Sequence, residues 1–151
     1  MSARRSIRPF DNRRDRRRGG VLIEAAFALI ILVIMTGGMI EFGWLIFVTH
    51  TATGAARSGA RAAIVAGAVK SDVQTAVNNI MTAAGWATTK YTVQVDDKTG
   101  GTTDVYPSSI AVWHDVAVHE KSTWANVGVS VFNFVSSTRA IVCVVVLRKE
   151  S

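Results

Sequence analysis

Only one cysteine, Cys143, occurs in the 151 residues, so no internal disulfide can brace the fold. The sequence also has no phosphate-binding glycine loop, no Gly-x-Ser-x-Gly elbow and no His-Glu-x-x-His motif. His114 and His119 fall on opposite faces of one expected strand, which makes them poor joint metal ligands. Cys143 sits in an apolar strand and reads as a buried, inert thiol. Trp86, Trp113 and Trp124 read as core or rim aromatics. No enzyme activity, cofactor, metal or small-molecule substrate is expected. A basic patch on the folded part is missing as well. The first nineteen residues hold eight Arg against Asp11 and Asp15, and the remaining chain is neutral. The excess positive charge therefore belongs to the N-terminal tail, and no nucleic-acid partner is expected.

Charge is nearly absent from Val21 to Val48, where the only formal charges are Glu24 and Glu41. About 20 apolar residues suffice to cross a bilayer as a helix, so this run predicts a membrane span at about 21–48. It is longer than the apolar core of a cleavable secretory signal, roughly 7 to 15 residues. The arginines before it orient the helix by the positive-inside rule. The expected topology is single-pass in a bacterial cytoplasmic membrane, with the N-terminus in the cytoplasm and the C-terminal part periplasmic or extracellular. Glu41 lies seventeen residues beyond Glu24, about 100° around a helix, so the two acids do not form one site. An intramembrane acid costs about 2.5 to 3.5 kcal/mol at the bilayer centre. Glu41 is accordingly expected to be protonated or paired between subunits, with a snorkelling interfacial acid as the competing view.

Beyond the run, Ala55, Gly59, Ala63 and Gly67 recur every fourth residue. On a helix they form one smooth stripe that admits close approach. It suits either assembly with another helix or packing on the chain's own outer domain. Arg57 and Arg61 form a second stripe, suited to lipid headgroups, an acidic partner or plain solvation. Ser71 with Asp72 marks a helix start, and Val73, Ala76, Val77 and Ile80 make its apolar face before Gly85. Strands are expected at Tyr91 to Val95, Ala111 to Glu120 and Thr138 to Leu147, with a turn-rich loop from Asp96 to Asp104. Val112, Val116 and Val118 are expected on the inner face of the second strand, with His114 on the same side. Val127 to Phe134 reads as another strand or a loop. The fold class is α+β: a long transmembrane and stalk helix, then a second helix against a short antiparallel sheet. The expected division is a basic leader over 1–19, a span and stalk over 20–67 and an extracytoplasmic domain over 68–151.

The junction Arg18-Gly19-Gly20-Val21-Leu22-Ile23-Glu24 resembles that of a type IV-like prepilin. At Glu41-Phe42-Gly43 and Ala55-Ala56-Arg57-Ser58-Gly59-Ala60-Arg61 the resemblance sharpens to the TadE-like minor pilins, or pseudopilins, of tight-adherence (Flp-type) pilus systems. It covers roughly residues 19–61. Glu24 is followed by Ala25 rather than an aromatic residue, and Thr36-Gly37-Gly38 replaces the proline often found mid-helix, which leaves the helix bend open. The resemblance implies cleavage by a prepilin peptidase between Gly19 and Gly20. It makes Glu24 the assembly or processing acid, facing the new α-amino group of its own or a neighbouring chain. The implied partners are that peptidase, other pilins or pseudopilins with their assembly platform, and membrane lipid. The implied role is assembly, or the tip, of an adhesive pilus. The alternative is a membrane-anchored periplasmic binding or sensing module that never enters a filament.

Overall fold

A computed structural model describes residues 13–150, with side chains described from residue 19. The first twelve residues of the expected leader lie outside the described residues. Helix α1 runs Arg13–Ala63, followed by α2 at Lys70–Ala83. The sheet strands are β1 at Tyr91–Asp97, β2 at Asp115–Thr123 and β3 at Ala140–Arg148, and a short helix α3, Trp124–Val127, follows β2. The fold is α+β, and among the described residues one helix is long and apolar enough to cross a membrane.

The chain divides into two compact units between Gly37 and Gly38. In the first unit, the apolar side chains from Val21 to Met35 are all largely exposed. Such a surface needs lipid or protein around it. The Thr36 hydroxyl donates to the Leu32 carbonyl, which satisfies it inside the helix. Helical structure continues without interruption through Thr36-Gly37-Gly38, so the glycine pair does not break it.

In the second unit, α1 supplies a face of small residues. Ala52, Ala55, Ala56, Ala60 and Ala63 are fully buried. Alanine side chains let the helix axis come close to α2 and the sheet, and Val77, Met81, Trp86 and Trp124 fill the remaining space. Further along, Ala60 and Ala63 share a second cluster with Val73, Val95, Val116 and Val118. Helix α2 starts one residue before Ser71. The Asp72 carboxylate reaches back to accept the Val69 N–H at 3.0 Å, which stabilises the first turn. It ends where Gly85 takes φ +86° and lets the Trp86 N–H close on the Met81 carbonyl.

The three strands are antiparallel in the order β1-β2-β3, with Val95 opposite Val118 and Glu120 opposite Cys143. Alternation along β2 puts Val116, Val118 and Glu120 on the helix side. The second strand begins later than Ala111. Trp113 takes φ +69°, and Val112 and Trp113 are exposed. His114 lies before the strand, where its Nδ1 pairs with Asp97 Oδ2 at 2.9 Å. Val127 to Phe134 is the end of α3 followed by a loop, with no strand in it.

Candidate functional site

Gly19 and Gly20 are exposed positions inside α1, and a Cβ at either would meet nothing within 4 Å. Packing among the described residues therefore does not call for glycine there. Each glycine costs a helix about 1 kcal/mol relative to alanine, so the pair makes this turn easier to unwind. Glu24 lies on the same stretch and is exposed.

The other acid of the apolar run is in a different situation. Glu41 has no solvent exposure and belongs to the second unit. Its Oε1 accepts the Val135 N–H at 2.7 Å, and its Oε2 accepts the Phe132 N–H at 3.4 Å. The carboxylate thus finds its partners within its own chain, in the loop between α3 and β3, rather than in lipid. One helical turn on, Trp44 Nε1 donates to the Val127 carbonyl at 2.7 Å. These contacts clamp both ends of the loop that follows α3 onto α1. Val48 is buried in the core of the second unit, so the part of α1 that faces only its surroundings is shorter than 21–48.

The small stripe also packs within the chain. Ala55, Gly59 and Ala63 are buried. A Cβ at Gly59 would lie 2.7 Å from Val77 Cγ2 and 3.3 Å from methyls of Val73 and Val118. Of the two uses the spacing allowed, the structure shows α1 docking on α2 and β2. Gly67 is not part of that stripe, because α1 ends at Ala63 and Gly67 takes φ +77° in the turn that follows. Arg57 and Arg61 are exposed on α1, and among the described residues no ion pair reaches either.

Glu120, Cys143 and His119 lie apart from these positions. Glu120 is fully buried in β2, and neither carboxylate oxygen has a hydrogen-bond partner among the described residues. Burial pushes its carboxyl up to about 7. Cys143 opposite it receives the Thr53 hydroxyl on its sulfur at 3.6 Å, and burial pushes the thiol up, away from the reactive thiolate. His119 Nε2 lies 3.0 Å from Asp96 Oδ2, and burial holds the imidazole below its ordinary range. Among the described residues, no three His, Cys, Asp or Glu side chains gather in a way that would hold a metal ion.

Residues 19–61 match the family model for TadE-like proteins. The segment is TadE-like. The match begins at the glycine pair, runs through Glu24 and Glu41 and closes at Arg61, so the matched residues include the junction from Gly19 to Glu24 and, of the stripe, Ala55 and Gly59. The TadE-like match and the apolar helix associate the chain with the membrane part of tight-adherence pilus systems. No curated protein and no solved structure matches the chain. Sequence reasoning singled out every acid of the TadE-like segment but missed the loop that Glu41 holds. The available signal was Val131-Phe132-Asn133-Phe134-Val135, an apolar cluster in a stretch that reads equally as a strand or a loop.

Proposed function

We propose that this protein is a TadE-type minor pilin or pseudopilin that acts in assembly, or at the tip, of an adhesive tight-adherence pilus and performs no chemistry of its own. The observation that carries the reading is the TadE-like match over residues 19–61, which starts at the glycine pair. A prepilin peptidase would cut between Gly19 and Gly20, where glycine imposes no packing cost and eases local unwinding. Glu24 would then be the fifth residue of the mature chain, exposed and available to an α-amino group of its own or a neighbouring chain. The N-terminus would be cytoplasmic and the outer unit periplasmic or extracellular.

N-terminal sequencing and intact mass of the protein from membranes, with and without the peptidase, test this. A start at Gly20 that depends on the peptidase and disappears in Gly19→Leu supports the reading. A leader retained in the presence of active peptidase overturns it and leaves a membrane-anchored module.

A further inference from the structure

We infer that residues 131–134 form a wedge that enters the outer leaflet beside α1, with Glu41 as the internal acceptor that makes this possible. The inference rests on the membrane-spanning reading of the TadE-like segment. About 20 helical residues cover the ~30 Å hydrocarbon layer. Counted from Val21, that length ends at Ile40, next to Glu41. The loop is attached at this level. Phe134 Cε2 would lie 3.6 Å from a Cβ at Gly38, and Val135 and Phe132 donate to Glu41.

The loop is apolar where it meets this level. Val131, Phe132 and Phe134 are 46%, 42% and 50% exposed, and the two rings lie with centroids 5.9 Å apart. Met39, Ile40 and Phe42, which flank Glu41 along α1, are also exposed. A cluster of large apolar side chains rimming the end of a membrane helix matches lipid rather than water. Just beyond it, Arg139 lines a groove with Leu45 and Thr49. Those two residues are one and two turns further out than Glu41, about 6 and 12 Å, a height at which a guanidinium meets headgroup phosphates.

Irregular backbone is tolerated at hydrocarbon depth only where its N–H groups are satisfied by protein. Glu41 accepts the N–H groups of Phe132 and Val135, and Asn133 takes φ +59° and pairs its side chain with the Ser130 hydroxyl at 3.2 Å. The buried acid and the exposed phenylalanines therefore have one explanation. The acid accepts two backbone donors, those of Phe132 and Val135, in a loop whose large apolar side chains are exposed.

The test uses the full chain in phosphatidylcholine/phosphatidylglycerol vesicles, with a fluorophore on Phe134→Cys, Ile30→Cys or Thr103→Cys. The parent, whose one thiol is buried, serves as the labelling control. Lipids spin-labelled near the headgroup should quench residue 134 severalfold more than residue 103. Lipids labelled deep in the chain should quench residue 30 more than residue 134. Quenching at residue 30 with residue 134 behaving like residue 103 overturns the wedge and leaves the span intact. No quenching at residue 30 overturns the membrane reading and the wedge with it. Disulfide formation between two copies at residue 134, with loss of lipid quenching there, also overturns the wedge and assigns the patch to a second copy. Val131→Cys repeats the measurement if Phe134→Cys alters the near-ultraviolet circular dichroism.

Discussion

Glu41 and Glu120 are both fully buried acids, yet they differ in what surrounds them. Glu41 holds two backbone N–H groups, whereas Glu120 holds nothing among the described residues. Glu120 consequently works against the fold once it is charged. Its carboxyl is raised from 4.5 to about 7 in the folded state. The unfolded chain releases this proton first as pH rises, so stability falls between those two values. At about 1.4 kcal/mol per pKa unit the loss is roughly 3 kcal/mol. Glu120→Gln should flatten the decline in stability of the detergent-solubilised protein between pH 5 and 8, read by denaturant titration at each pH; an unchanged slope would place the titration elsewhere. Two glycines of α1 make a second contrast. Gly59 has three valine methyls against the space a Cβ needs, and Gly54 has nothing within 4 Å. Gly59→Val should destabilise by about 1–3 kcal/mol through overpacking. Gly54→Ala should stabilise by up to about 1 kcal/mol through helix propensity. Thermal melts of the two variants should move in opposite directions.

At the scale of elements, α1 serves two environments in succession. Its first part exposes apolar side chains all round, and its last part presents a narrow face of alanine and Gly59 to α2 and β2. The loop between α3 and β3 has few partners of its own and depends on α1 through Glu41 and Trp44. Glu41→Leu leaves two N–H groups without an acceptor, at a cost of about 1–3 kcal/mol. That loss should be local. Hydrogen exchange at Phe132 and Val135 should accelerate well beyond that of β2 and β3, and a uniform acceleration across the sheet would show that the loop is not a separate unit. The sheet contributes a further surface: its outer side exposes Val142, Val144 and Val146 on the edge strand β3.

For the whole molecule, the dependence of the second unit on its helix is the main energetic fact. The sheet and α2 close their core only with Val48, Ala52, Ala55 and Ala56 from α1. A domain of this size buries too little surface to spare one side of its core. A chain beginning at Gly38 should keep a cooperative unfolding transition and the near-ultraviolet signal of buried Trp86 and Trp124. One beginning at Thr51 lacks Glu41, Trp44 and Val48 and should lose both. Cooperative folding of the shorter chain would show that the sheet and α2 suffice without the stalk.

Much of this was readable in the residues, because it rests on local physics. The apolar run with only two charges predicts a long apolar helix, the Ser71-Asp72 start and Gly85 bracket α2, and valine-rich alternation marks the strands. The glycine pair, Glu24 and the Ala-Ala-Arg segment carry the TadE-like resemblance, and the family match falls on those residues. Three features depended on contacts between residues far apart in sequence. The stripe fits both a neighbouring chain and the chain's own valines, and only the placement of Val73, Val77 and Val118 decides between them. His114 leaves the strand because Trp113 turns the backbone, bringing the imidazole to Asp97. Glu41 reads as an acid alone in an apolar run because its acceptor role is set by N–H groups more than ninety residues away. Backbone donors carry no side-chain signature, so periodicity and composition cannot place them, and only the tertiary structure brings the loop to the acid.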